Sequence, residues 1–587
     1  MLGNVQGQYA ILSNLTATVN VGVDRSNGGR TTYQPTNSPL GAATNGRGYI
    51  GELDLTGATV QTLLTYDKPF ETSFLGLGRQ SINAVGGYEY NNYRTGTSSL
   101  ERRNFVTDAN GANNIGVGSD ASIPPSSYVE YRKLSSIFAR ANYGLRDKYF
   151  ITGVVRRDGA SVFGANNKYA VFPSVSASWR ISEEPFFSNN GVFSDLKLRG
   201  GYGTQGNQGI GPYQTLALLA ADPNNRYPFG GTLVTGVLPS QNPNPNLRWE
   251  TTAQVDAAID YGIFRNRVTG SFEYYSKTTR DLLLTVNVPQ PAVVATQLQN
   301  IGRVKNAGFE ANVDGQVFNA PGRTLSLGLV FSANRNRVLS LGNSITRLFT
   351  GFASGQGFSN VQTQIITPGQ PLGTFYGPVF ARPGTGTDAG YDLCNSYNAS
   401  GGVAGTVRCG DANAIDQDKK YLGNANPSYE VGFRGQTNIG RFDATFLVRA
   451  STGFKVFNNT AAVYASKANA ATNRNFLASA LNDGLGLTSA NVYAANSYSS
   501  RFVESGDFLR LQNVTVGYTV NLRSVFRRST TARFYVSGDN LLLSTKYSGL
   551  DPEVFTDANV NGYSARGIDY LSYPRARTFT FGTRLGL

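Results

Sequence analysis

The sequence predicts an all-β protein, a large antiparallel β-barrel of the kind that spans a membrane. Three observations lead there: short stretches that alternate apolar and polar residues, connections that alternate between tight and long, and a composition rich in glycine and aromatics but poor in charge. The chain has 587 residues, with 68 Gly, 34 Phe and 32 Tyr against one Met and two Cys, and charged residues make up only 15%. Such a balance suits many strands and turns and suits a helical enzyme poorly.

The alternation is clearest in ETTAQVDAAIDYGIFRNRVTGSFEYYSKT. Ala253, Val255, Ala257, Ile259, Tyr261 and Ile263 fall on one face, and Gln254, Asp256 and Asp260 on the other. After a polar turn, Val268, Phe272 and Tyr274 oppose Thr269, Ser271, Glu273 and Lys277. Successive side chains of a strand point to opposite faces, so this is a hairpin with one greasy and one wet side. The pattern recurs in SVSASWRI, GFEANVDGQVF, RTLSLGLVFSAN and SYEVGFRGQT, and about seventeen segments have the length that a tilted membrane-spanning strand needs.

A soluble sandwich would share that pattern, so the connections have to discriminate. Tight joints are expected near 12–14, 67–70, 144–148, 263–267, 318–323 and 438–441. Long Gly/Asn/Ser/Pro-rich loops are expected at about 26–48, 89–126, 205–246, 279–305, 338–427, 454–507 and 542–575. Short turns on one side and long loops on the other are the arrangement of outer-membrane barrels. The apolar faces are therefore expected to meet lipid and the charged faces water.

Function classes narrow by what is missing. The chain contains no His, which removes His-based triads and most zinc sites. No catalytic residue, metal or cofactor is expected. The net charge is +14, but the Lys and Arg are scattered without a basic run, so no nucleic-acid partner is expected. No stretch of about 18 apolar residues is present to form a transmembrane helix. MLGNVQGQYAIL has neither the charged start nor the cleavage site of a signal peptide.

Other motifs are weak. Gly201, Gly203 and Gly206 have the spacing of a dinucleotide fingerprint, but no helical pattern follows, and a glycine-rich strand end is the better reading. Asp411, Asn413, Asp416 and Asp418 resemble a calcium loop that lacks its central Gly and distal Glu. The sequons at Asn14, Asn398 and Asn513 carry little information by themselves. Cys394 and Cys409, in the longest loop, are read as a disulfide favoured by an oxidising envelope, with free thiols as the other reading. In ARTFTFGTRLGL, Phe579, Phe581, Leu585 and Leu587 form one face of a last strand, the candidate barrel-assembly strand. Loop aromatics that could touch a ligand are Tyr213, Tyr227, Tyr391, Tyr397 and Tyr493.

Several stretches carry a family resemblance: FITGVVRRDGASVFGANNKYAVFPSVSASWRISEE, LKLRGGYGTQGNQ, PNPNLRWETTAQVDAAIDYGIF, NIGRVKNAGFEANV, GQPLGTFYG, GNANPSYEVGF, FVESGDFLRLQNVTVGYTV, KYSGLDPEV and YPRARTFTFG. In this order, over most of residues 128–587, they resemble the SusC/RagA group of TonB-dependent outer-membrane transporters. The resemblance implies a plugged barrel of about 22 strands and energised import of glycans or peptides. It further implies a SusD-like surface lipoprotein as partner, coupling to the TonB–ExbB–ExbD system, and residence among the lipids of a Gram-negative outer membrane. The signal peptide, TonB box and plug of that group are not matched from Met1 onward. Residues 1–587 are therefore expected to be a C-terminal barrel portion, about 17 of about 22 strands, without a plug domain. A passive porin-like channel and a secreted β-rich adhesin remain the alternatives.

Overall fold

The computed structural model describes residues 1–72, 78–120, 123–187, 191–342, 345–355, 357–358, 360–471, 474–481, 497–522, 531–554, 556, 558–559, 563 and 565–586. Seventeen strands belong to one antiparallel sheet. In chain order they are β1 (Leu2–Leu12), β2 (Leu15–Gln34), β3 (Arg47–Thr72), β4 (Gly78–Arg103), β5 (Ser126–Leu145), β6 (Tyr149–Ala160), β7 (Tyr169–Arg180), β8 (Phe193–Asn207), β9 (Glu250–Ile263), β10 (Val268–Arg280), β11 (Arg303–Ala320), β12 (Arg323–Ser340), β13 (Tyr429–Ile439), β14 (Phe442–Thr452), β15 (Phe508–Asn521), β16 (Thr531–Thr545) and β17 (Thr578–Gly586). The chain divides into two compact units, one of residues 1–178, 201–252 and 285–300, the other of the remainder.

The tight turns are built from residues that tolerate the left-handed backbone. Arg146 and Asp147 (φ 54° and 57°) join β5 to β6, and Gly322 (φ 73°) and Gly440 (φ 62°) close the β11–β12 and β13–β14 hairpins. Connections of two or three residues with this hand match the twist of the flanking strands, and glycine adopts them without steric cost.

In the first unit β2, β3 and β4 pair in continuous register over their whole length. One face presents Val19, Val21, Val23, Val60, Leu64 and Tyr88, each 39–47% exposed. The opposite face is wet, with the Thr59 hydroxyl donating to Asn91 Oδ1 (2.6 Å) and Gln61 Nε2 to Glu89 Oε2 (3.3 Å). Along the apolar face the greasy run ends where Arg25 and Arg94 meet Asp54 (3.6 and 2.7 Å). From Tyr66 to Thr56 is ten residues of tilted strand, roughly 25 Å of height and the thickness of an outer-membrane apolar band.

The strands run further than the sequence pattern suggests. β3 and β4 are 26 residues each, more than twice what a crossing needs, and β2 and β4 carry strand through 26–34 and 89–103 of the stretches read as loops. The joint expected at 67–70 is still strand, with Pro69 opposite Ser81 and Phe70 opposite Gln80. Alternation of Thr, Ser, Tyr and Gly carries no apolar signal, but their backbones pair as well in water as in lipid.

In the second unit the same division of faces holds. Phe272, Phe309, Leu329, Phe534, Val536 and Phe581 are exposed on the apolar side, with the rings of Phe272 and Phe309 stacked at 5.7 Å. On the polar side Arg199 bridges Asp260 (3.2 Å) and Glu273 (2.8 Å). Arg434 reaches Asp314 (2.7 Å) across β12 at Gly328, where a Cβ would sit 2.4 Å from the Asp314 carboxylate. These side chains do not meet in a dry layer between stacked sheets. The exposed apolar face needs lipid.

Gly201, Gly203 and Gly206 lie on the strand β8, so no phosphate-cradling loop forms. The Phe172 ring covers Gly206, where a Cβ would come within 2.1 Å of it. β17 carries Phe579, Phe581 and Leu585 exposed, paired through Gly538, Val536 and Ala532 of β16, while Leu587 lies outside the described residues.

Replacing Leu329 with Arg on the apolar face is expected to cost about 2–4 kcal/mol in a bilayer. Ser332→Arg, on the wet face of the same strand, is expected to change stability little. Denaturant unfolding in lipid vesicles, followed by heat-modifiable gel mobility, measures both.

Candidate functional site

The long connections of the second unit fold into small sheets with their own core. Leu348–Phe352, Gln362–Ile366, Thr374–Pro378 and Lys419–Asn424 form a four-stranded sheet, and Phe380–Pro383, Asp392–Tyr397 and Val403–Arg408 a three-stranded one. Phe358, Phe375, Phe457, Tyr498, Phe502 and Ile568 are buried together among them. Burying such aromatics provides the stabilisation that ordering long polar loops requires. The Tyr498 hydroxyl, fully enclosed, donates to the Thr363 carbonyl (2.8 Å), and burial pushes its pKa well up.

Charge pairs pin the edges of this module. Arg347 holds Asp416 at 2.6 Å, which lowers the Asp416 pKa below the ordinary aspartate value. Tyr376 donates to the same carboxylate (3.2 Å), and burial first, then that charge, pushes its pKa up to about 12. Asp392, bonded to Arg501, is pushed up by burial against the pull of the guanidinium. Cys394 and Cys409 are joined in a disulfide, both buried with Ala412. Asp418, buried, accepts the Tyr397 backbone N–H (2.7 Å). No cluster of three metal-ligating side chains occurs among the described residues.

The connection after β16 folds back over the wet face. Arg510 of β15, whose side chain is 3% exposed, holds Asp551 (2.7 Å) and Glu553 (3.1 Å). Arg575 reaches Glu553 at 3.1 Å and Arg449 of β14 reaches it at 3.4 Å. Two carboxylates thus pair with three guanidiniums, two of them on neighbouring strands. Nearby, the Tyr547 hydroxyl donates to Asp569 (2.6 Å), and burial, then that carboxylate, raises its pKa.

Beside this network lies a hollow of about 400 Å³, lined by Asp551, Glu553, Asp569, Tyr570, Tyr573 and Arg575 among others. Tyr573 is 92% exposed. Aromatic faces next to carboxylates and guanidiniums can stack on a ring and hydrogen-bond its hydroxyls, or grip a peptide backbone. This hollow is the candidate ligand-facing surface of the second unit.

The tyrosines expected from the sequence do not converge there. Tyr391 is capped by the Arg408 guanidinium and Tyr397 by the Lys420 ammonium, each cation 4.0 Å from the ring centroid, so one face of each ring is engaged within the protein. Tyr213 and Tyr227 belong to the first unit, the former accepting from Gln241 through its carbonyl (3.0 Å), the latter half-exposed beside Phe229. Tyr493 lies outside the described residues. Nothing in the sequence marks Tyr570 and Tyr573, because a loop tyrosine carries no signature of its exposure. Asp551 and Glu553, flanking Pro552, did carry a signal in the stretch KYSGLDPEV.

Residues 3–541 match the family model described as TonB dependent receptor-like, beta-barrel. TonB-dependent receptor P3 of Formosa agariphila is 32% identical over 590 residues, covering 99% of this chain and 57% of that protein. TonB-dependent receptor SusC of Bacteroides thetaiotaomicron is 31% identical over 478 residues, covering 78% of this chain and 44% of that protein. The chain thus spans about half the length of the curated relatives it matches. Among solved structures, one described as the RagAB peptide transporter superposes with a TM-score of 0.80 at 23% identity, covering all of this chain and 61% of that one.

Arg510→Ala is expected to leave Asp551 and Glu553 short of a buried partner, at a local cost of about 3–5 kcal/mol. Limited proteolysis should then cut within 546–577 while the strands stay resistant. Asp416, whose folded pKa is depressed, contributes stability above its unfolded value and loses it as pH falls through the folded one. The 341–427 module should therefore hold from neutral pH down to about pH 4 and loosen below it, with Arg347→Gln removing that acid transition in a protease-sensitivity titration.

Proposed function

The chain belongs to the TonB-dependent receptor-like β-barrel family of Gram-negative outer membranes, and from that premise we propose that it serves energised import of the SusC/RagA type. The family is one of receptors and transporters, not of enzymes. In this reading a SusD-like lipoprotein covers the long-loop side, and the TonB–ExbB–ExbD system drives transport from the inner membrane. The cargo is an oligomeric solute, glycan or peptide.

The observation that carries the reading is the folding of the long connections into an ordered module with an aromatic and charged hollow beside the wet face. A passive channel gains nothing from ordering so much loop. A glycan is favoured by the exposed Tyr573 next to Asp551 and Asp569, because ring stacking and carboxylate acceptors suit a sugar. A peptide is the second reading, favoured by the likeness in fold to a structure described as a peptide transporter.

Uptake of labelled oligosaccharides and peptides by cells expressing the full-length protein tests this. Import is expected to stop when TonB is deleted, and planar bilayers holding the protein should stay electrically silent. Open-channel conductance with TonB-independent uptake would establish the porin alternative, and release without detergent the adhesin. Tyr573→Ala is expected to weaken cargo binding about two- to tenfold by calorimetry.

A further inference from the structure

On β10, β11 and β12, the apolar face changes character at the end nearest the long connections. Phe272, Phe309 and Leu329 are 44–48% exposed in the greasy band. Higher on the same face stand Arg280, Arg303, Lys305, Arg335 and Arg337, all exposed. Arg280 is directly opposite Arg303 in register, and Lys305 directly opposite Arg337. Like charges placed face to face across a ladder repel and are destabilising by themselves. No Asp or Glu lies on this face of the three strands. Asp281, just past the end of β10, has contacts of its own. Among the described residues none of the five basic side chains comes within ion-pair distance of a carboxylate.

Several comparable charges elsewhere on the sheet have a carboxylate partner. On the apolar side of β2–β4, Arg25 and Arg94 above the band share Asp54. On the wet faces Arg199, Arg434, Arg510 and Arg533 each hold a carboxylate. What sets this group apart is that five basic side chains gather on one face with no carboxylate among them, and its position explains that. Lys305 stands four residues beyond Phe309 on β11, roughly 10 Å higher along a tilted strand, at headgroup level. Arg335 and Arg337 also line a hollow of about 390 Å³ with Gln370, Asn424, Asn426 and Ser428, which adds amide and hydroxyl donors.

We propose that this patch is a binding site for the anionic phosphomonoester headgroups of outer-leaflet lipids. The phosphates supply the negative charge that the two like-charged register pairs lack, while the acyl chains lie along the band below. Guanidinium and ammonium groups recognise phosphate by charge-assisted hydrogen bonds. The inference needs the membrane placement but not the transport reading.

The test uses the full-length protein in phosphatidylcholine nanodiscs with or without bis-phosphorylated lipid A, with dephosphorylated lipid A and inorganic phosphate as separate arms. Each basic residue at a membrane surface is worth about fivefold in affinity. Native mass spectrometry should therefore show Lys305→Gln with Arg337→Gln retaining roughly twentyfold less phosphorylated lipid. The single Lys305→Gln variant guards against misfolding by a change of sign: it should melt higher than wild type without lipid A and lower with it. Undiminished retention by the double variant, or equal retention of the dephosphorylated lipid, overturns the proposal. Stabilisation by inorganic phosphate equal to that by lipid A would make this a free-anion site and overturn it too. Binding of an acidic protein instead of the lipid would do the same.

Discussion

The constraint on which the structure depends is that hydrocarbon offers no hydrogen bonds to a peptide group. A strand in lipid must find its partners on neighbouring strands, so consecutive hairpins pair edge to edge, as β2 with β3 and β3 with β4 do in unbroken register. Once the backbone is committed to that ladder, side chains alternate between two solvents. Val60 and Leu64 turn one way, Thr59 and Gln61 the other. The chain needs no buried core in its strands, because lipid does for one face what a core does in a soluble protein.

The wet face then faces its own problem, since charges held on a rigid wall must be neutralised locally. Arg434 with Asp314 and Arg533 with Asp443 do so across a strand, and glycine at 328 and 517 leaves room for the crossing side chains. Arg510, more deeply buried, takes its partners from a loop. That borrowing ties the connection after β16 to the wall and brings Tyr570 and Tyr573 beside it. The order of this loop and the placement of the hollow are thus two results of the same ion-pair network. Outside, where the solvent is lipid and then headgroup, the basic patch near Lys305 is left for the membrane to neutralise.

The loops follow a different rule from the strands. Away from lipid they obey the burial logic of a soluble domain, with Phe375, Phe457 and Tyr498 in a dry centre and a disulfide at Cys394–Cys409. A hybrid of this kind explains a composition rich in aromatics at both the band and the loops. It also explains why a Tyr in this chain cannot be assigned a role from its type. Tyr391 and Tyr397 carry cations of the protein itself, Tyr498 is sealed, and Tyr573 stands in water.

By itself the sequence determined the all-β class, the two-faced strands and the alternation of tight and long connections, because period two is a local property of adjacent residues. Stretches such as KYSGLDPEV and GNANPSYEVGF also pointed to the family. The extent of β3 and β4 above the band lay beyond it, since Thr, Ser and Gly pair their backbones without any apolar signature. Only the tertiary structure decided which loop tyrosines are free, that Arg510 meets Asp551 and Glu553 over about forty residues of chain, and that Arg280, Arg303, Lys305, Arg335 and Arg337 share one face. Those are facts of register and chain return. They depend on which distant segments lie side by side, and spacing along the chain does not encode that.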